Sequence, residues 1–136
     1  MQIQKCTMAD VSEFAVLNKQ LIEDEKSDNP MNISELEGRM KGFLETDYSA
    51  YFFIKDSQII GYALIRNTST PLYLRQFLID RKYRKHHYGT QAFQMLLQYL
   101  DIKEIDLEVL PWNKNGRAFW KHCGFHETCI AMRYKE

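Results

Sequence analysis

LYLRQFLID at residues 72–80, RKYRKHH at residues 81–87 and YGTQAFQMLLQYL at residues 88–100 follow one another without a break. The first run reads as a strand, because it follows the breaker Ser69-Thr70-Pro71 and is dense in aliphatic and aromatic side chains. The third places Tyr88, Ala92, Met95, Leu96 and Tyr99 on one helical face. A strand therefore hands over to a helix through a basic turn. The first-turn N–H groups of such a helix have no intrahelical acceptor and carry the positive end of its dipole. An anion is expected there, at residues 84–90. Gly89 lets the backbone approach a phosphate with no Cβ in the way, while Arg84 and Lys85 add positive charge at the rim, a geometry suited to a diphosphate. Taken alone, the segment also fits a solvated charged loop ahead of an ordinary helix. Its six basic or imidazole side chains at residues 81–87 could also touch nucleic-acid phosphates, a reading that the balanced total charge disfavours.

On either side of this unit the pattern is that of a mixed α/β domain. Residues 2–6 read as a short strand, and Thr7 with Asp10 makes a capping box ahead of an amphipathic helix through Val11, Phe14, Leu17 and Leu21. After a polar loop at residues 23–30, Asn32 is the expected cap of a second helix carrying Ile33, Leu36, Met40, Phe43 and Leu44 at helical spacing. Residues 48–54 and 58–66 are β-rich runs joined by Lys55-Asp56-Ser57, hence an antiparallel hairpin. Downstream, residues 105–110 read as a strand, 113–123 as a short helix ended by Gly124, and 125–134 as a final strand or pair of strand halves. Hairpins mixed with crossovers imply one sheet of mixed direction.

The 136 residues, 45% of them hydrophobic, suffice for one core and one domain over residues 1–136. Acidic and basic side chains balance at 18 each, so no global field draws the chain to nucleic acid or to an anionic membrane. Residues 1–10 lack the apolar core of a secretory signal and no apolar run is long enough to span a bilayer, which predicts a cytoplasmic protein. Cys6, Cys123 and Cys129 are odd in number and lack CxxC spacing, which fits reduced thiols. His122, Cys123, His126 and Cys129 match no ordinary zinc spacing, and Gly124-Phe125 interrupts any shared helical face, so no metal is expected.

The order strand, R-x-x-G-x-G/A, helix resembles the coenzyme A signature of the GNAT superfamily of N-acetyltransferases. Here it reads Arg84-Lys85-His86-His87-Tyr88-Gly89, with Tyr83 in the aromatic place before the arginine and His87 where the first glycine is usual. A positive φ at His87 would cost about 1 kcal/mol more than with glycine, whereas a helical conformation would cost little. Leu107-Glu108-Val109, Asn113, Gly116, Phe119-Trp120 and Gly124-Phe125 resemble the family's L-E-V, N-x-x-A/G and Y-x-x-x-G-F series. The two blocks cover the C-terminal half, and the helix, helix, hairpin order before them is what the family's N-terminal half looks like. The resemblance implies an α/β, GNAT-like fold with a mixed central sheet of about six to seven strands, about four flanking helices and a splayed strand pair forming the cofactor cleft. It implies acetyl-CoA as co-substrate, bound by the backbone of Phe77, Leu78 and Ile79. The turn of Arg84, Lys85, His86, His87, Tyr88, Gly89 and Thr90 would hold its pyrophosphate. Asn113 would reach coenzyme A from beyond the splay, a role compatible with capping the fourth helix. The acceptor would be a primary amine of a small molecule or peptide, and relatives are often homodimers.

Acetyl transfer to an amine needs a neutral amine, a polarised carbonyl and a proton for the leaving thiolate. Glu108 shares an alternating face with Asp106 and resembles the base of the ribosomal-protein alanine acetyltransferases; it equally fits a solvent-facing or ion-paired strand residue. The family's thiolate acid is the tyrosine four residues before G-F, a place held here by Trp120, whose indole donates hydrogen bonds but is no proton source near neutral pH. Trp120 is expected against the cofactor arm or the core, so that water, Cys123 or a nearby tyrosine supplies the proton or the thiolate leaves unassisted. A backbone N–H of Leu78 or Ile79 is expected to polarise the carbonyl. Arg75 and Gln76 are expected at the substrate, Arg75 to hold a carboxylate, while Glu23, Asp24, Glu25 and Asp28 would draw a cationic amine. Two other functions fit the same residues: a non-catalytic acyl-CoA-binding sensor or interaction module, and an anion- or nucleic-acid-binding α/β domain.

Overall fold

In the computed structural model, which describes all residues from Met1 to Glu136, β1 (Gln2–Lys5) leads into a 3-10 turn at Met8–Asp10 and then α1 (Val11–Asp24). Thr7 and Asp10 form the expected box: Thr7 N–H donates to Asp10 Oδ2 at 2.8 Å and Ala9 N–H to Thr7 Oγ1 at 3.3 Å. α2 (Ile33–Glu45) opens the same way, Glu35 N–H donating to Asn32 Oδ1 at 2.8 Å and Asn32 N–H to Glu35 Oε1 at 3.1 Å. β2 (Tyr48–Lys55) and β3 (Gln58–Arg66) pair antiparallel through Asp56 and Ser57, whose φ of 50° and 64° are the two left-handed positions of a type I′ turn. β4 (Leu72–Ile79), α3 (Tyr88–Leu100), β5 (Ile105–Asp106) and α4 (Lys114–His122) complete the order.

The sheet runs β1-β2-β3-β4-β5, antiparallel except for the parallel β4–β5 pair. Alternation along its strands builds two cores. On one face Phe14, Leu36 and Met40 of α1 and α2 pack on Phe52, Tyr62 and Leu64. On the other, Ala92, Phe93 and Leu96 of α3 pack on Phe53, Ala63 and Ile65, with Trp120 of α4 at the margin. The buried stripe of α3 thus includes Phe93, while Tyr99 is exposed.

Two expectations about strands are corrected. The sheet has five strands, not six to seven. The strand expected over residues 105–110 keeps only Ile105–Asp106 in the sheet, because β4 and β5 pair solely at Leu72–Ile105 and Tyr73–Asp106 before they part. Residues 125–134 form no strand: after Phe125 N–H donates to Trp120 O at 2.9 Å, the chain makes no further backbone hydrogen bond, and Ile130, Met132 and Tyr134 are exposed. Alternating apolar side chains favour a strand only where a neighbouring strand takes up the N–H and C=O groups.

Candidate active site

β4 continues for six residues beyond its last pairing with β5, from Leu74 to Ile79, so one of its edges is open. Asp80 N–H donates to Ile60 O at 2.7 Å, which sets the phase of the β3–β4 ladder. Antiparallel alternation then turns the amide of Leu78 towards β3, opposite Tyr62, and leaves the N–H and C=O groups of Phe77 and Ile79 on the open side. Of the two donors expected from the sequence, Ile79 faces the cleft and Leu78 does not. Leu64 pairs with Gln76 but Ile65 with Leu74, so Arg75 is the extra residue of a β-bulge at the point where β4 and β5 separate.

The basic turn lies at the far end of this open edge. A 3-10 turn at Arg81–Tyr83, capped by Asp80 Oδ1 accepting from Lys82 N–H at 3.1 Å, leads to Lys85 and His87 with φ of 68° and 61°. His87 therefore takes the left-handed conformation that favours glycine, the more costly of the two cases considered, at about 1 kcal/mol. No group of the protein accepts a hydrogen bond from any backbone N–H of Arg84 through Thr90; the first engaged amide is Gln91, donating to His87 O at 3.3 Å. A Cβ on Gly89 would lie 3.1 and 3.2 Å from the Phe119 ring of α4, so the glycine also lets α3 and α4 pack closely.

The Arg84 guanidinium is not loose at the rim. Its Nε donates to Ile79 O at 2.8 Å and its terminal nitrogen reaches Asp24 Oδ2 at 2.5 Å. Arg81 takes the other oxygen, Asp24 Oδ1, at 2.9 Å, and Arg81 N–H donates to Gln20 Oε1 at 2.8 Å. The end of α1 is thereby a strut beneath the turn, which the sequence reading missed because the partners lie 57 to 61 residues apart. Asp24 is taken out of the acidic loop that was expected to attract an amine.

Asn113 caps α4, its Oδ1 accepting from Gly116 N–H at 3.0 Å. A Cβ at Gly116 would lie 2.5 Å from the Asn113 amide nitrogen, so the small residue and the cap are one device. Trp120 sits in an aromatic cluster, its ring centroid 5.1 Å from that of Phe77, 5.4 Å from Phe93 and 5.2 Å from Phe125. Cys123 is half-buried, and burial pushes its thiol above the usual range. Glu108 is exposed on the segment that leaves β5 and makes no hydrogen bond or ion pair within the protein. Glu108 follows by two residues Asp106, the partner of Tyr73 where the strands part, and burial with the Glu108 charge raises the Tyr73 hydroxyl above its ordinary pKa.

On the α1–α2 side of β4, Gln76 Oε1 accepts from Tyr62 Oη at 2.8 Å and from Asn18 Nδ2 at 3.1 Å. The buried Tyr62 phenol is pushed far up by desolvation, so it stays a neutral donor. Glu25 follows α1 directly, and desolvation with the Asp24 charge raises its carboxyl.

An open strand edge, a turn of free amides and a helix N-terminus thus lie in line. The family model for the Acetyltransferase (GNAT) family matches residues 17–125. This chain belongs to the GNAT acetyltransferase family. A search of curated proteins gives no match. Among solved structures, this GNAT domain is similar to a possible acetyltransferase from Clostridium difficile 630, with a TM-score of 0.81 and 17% identity over 99% of this chain and 96% of that one. A predicted acetyltransferase with acetyl-CoA from Clostridium acetobutylicum gives 0.72 and 19%, over 98% and 95%. The aminoglycoside N-acetyltransferase AAC(6')-Iy in complex with CoA gives 0.69 and 18%, over 99% and 98%. At these identities the likeness is one of fold. No group of three or more His, Cys, Asp or Glu side chains is arranged to hold a metal ion, and no helix is long and apolar enough to cross a membrane.

Proposed function

We propose that this GNAT protein is a cytoplasmic, acetyl-CoA-dependent N-acetyltransferase that acts on a primary amine of a small molecule or peptide. The observation that carries this reading is the run of unpartnered amides from Arg84 to Thr90 at the end of the open β4 edge. Free N–H groups at a helix N-terminus suit a diphosphate, and the open-side N–H and C=O groups of Phe77 with the N–H of Ile79, whose carbonyl Arg84 already holds, suit the amides of a pantetheine arm. Bound there, acetyl-CoA supplies an activated acetyl group as its thioester. Arg84 holds the turn in shape through Ile79 and Asp24, while Lys85, His86, His87, Tyr88, Gly89 and Thr90 present the anion site. Asn113 orders the start of α4 beside the cleft, and Trp120 backs Phe77. Glu108 takes the proton of the amine, directly or through water, as the amine attacks the thioester carbonyl; Ile79 or Phe77 N–H donates to the acetyl oxygen, and the C–S bond breaks to release the coenzyme A thiolate, which leaves unassisted or takes its proton from water, Cys123 or a nearby tyrosine. Arg75 and Gln76 face the acceptor.

One observation favours a second reading, a non-catalytic acyl-CoA-binding module: Trp120, in the place of the family's acid, is embedded among Phe77, Phe93 and Phe125 and can protonate nothing. Thermal denaturation with acetyl-CoA, followed by an amine-library screen for released thiol, separates the readings. A raised melting temperature with thiol release supports the enzyme. A raised melting temperature with no acceptor in the library supports the binding module, and no shift at millimolar acetyl-CoA overturns both.

A further inference from the structure

Arg39 of α2 and Arg75 of the β4 bulge converge on one aromatic ring. The Arg39 Cζ lies 5.2 Å from the Phe43 ring centroid and the Arg75 Cζ lies 5.1 Å from the same point. Phe43 is one helical turn beyond Arg39, which stacks the two side chains on a single face of α2. Tyr48 completes the platform, its ring 4.8 Å from that of Phe43 and its hydroxyl accepting from Arg75 at 3.3 Å. Neither guanidinium has a carboxylate within ion-pair distance, whereas Arg66, Arg81, Arg84 and Arg117 all do. Sharing one ring at about 5 Å each brings the two cations near one another, and burial with the Arg75 charge lowers the pKa of Arg39. Aromatic faces offset part of their repulsion, but they leave both planar forks without an anion.

The pair adjoins the acceptor end of the cleft. Arg75 lies two residues beyond Tyr73, the last residue of β4 to pair with β5, and Glu108 lies two residues beyond Asp106, the partner of Tyr73. Next in the strand, Gln76 has its oxygen engaged by Tyr62 and Asn18, while its Nε2 makes no hydrogen bond and is not enclosed. From Arg75 to Phe77 is two residues, about 7 Å of strand, so an anion at the arginines and an amine at the open amides can belong to one small molecule.

We propose that Arg39 and Arg75 form a carboxylate clamp, so that the acceptor amine belongs to an amino acid or related amino carboxylate. This rests on the N-acetyltransferase reading above and narrows it: a polycationic acceptor such as an aminoglycoside is disfavoured by two unpaired guanidiniums. The test compares glycine, β-alanine, 4-aminobutyrate and 6-aminohexanoate with methylamine, ethylamine, propylamine and pentylamine, which lack the carboxylate, and with neamine. At least one amino carboxylate should exceed its parent amine in kcat/KM by about tenfold or more, and that advantage should collapse in Arg39→Gln and Arg75→Gln through KM. Retention of the acetyl-CoA thermal shift shows that each variant is folded. Parent amines or neamine acetylated as well as the amino carboxylates, or a preference that survives both substitutions, overturns the clamp. If no amine is acetylated, calorimetric titration with 6-acetamidohexanoate and with N-pentylacetamide decides instead. Tighter binding of the carboxylate, lost in both variants, supports the clamp while the enzyme reading fails; equal binding overturns it.

Discussion

Gly89 does two things at once, and they can be separated. Its missing Cβ leaves the first-turn amides open and lets the Phe119 ring approach to about van der Waals contact. Gly89→Asp sets a carboxylate beside the anion site and should abolish the rise in melting temperature caused by acetyl-CoA. Gly89→Ala, which Phe119 accommodates by a shift of a few tenths of an ångström, should keep a reduced rise. Equal rises in both variants would place the cofactor elsewhere. Glu108 is exposed, so Glu108→Gln leaves the fold intact. As the base, it should lower kcat by about 100-fold or more with the acetyl-CoA affinity unchanged; equal turnover would remove it from the chemistry. Glycine and glutamate were both readable in the sequence, since each stands at a motif position. Arg39 was not, because nothing near it in the chain marks an unpaired cation.

At the scale of elements, the anion turn depends on α1 as much as on α3. Asp24 receives both Arg81 and Arg84, and Arg84 in turn holds Ile79 O at the end of β4. Asp24→Asn should raise the KM for acetyl-CoA several-fold although residue 24 has no contact with the turn's free amides, and saturating cofactor should restore kcat. An unchanged KM would make the strut dispensable. Helix starts are legible in the sequence: Thr7, Asn32 and Asn113 each cap the helix or turn they precede, because a cap bonds to amides two or three residues away. Strand ends were not. Residues 105–109 alternate apolar and acidic side chains as a half-buried strand would, yet only Ile105–Asp106 pairs, and the apolar side chains of residues 125–134 join no sheet.

For the whole molecule, the sheet separates two cores and puts the three thiols in three environments. Cys6 is buried in the α1–α2 core, where desolvation, with Asp10 and Glu13, pushes its thiol far up. Cys123 is half-buried and Cys129 exposed. A thiol reagent should therefore modify Cys129 at once, Cys123 more slowly and Cys6 only on unfolding of that core. Acetyl-CoA should slow the last step, since ligand binding to the native state suppresses global opening. Rapid labelling of Cys6 in the native protein would mean that the α1–α2 layer opens independently of the sheet.

Read alone, the chain determined its local devices: the capped helices, the Asp56-Ser57 hairpin and the strand, basic turn and helix around Gly89. Each is written in contacts between residues a few positions apart, so the pattern carries its own partners. The tertiary structure decided where β5 ends, that residues 125–136 stay unpaired, that Arg84 turns to Asp24, and that Arg39 meets Arg75 over Phe43. Strand pairing and charge pairing join residues tens of positions apart, and which distant group arrives is set by how the layers pack, not by the residues on either side.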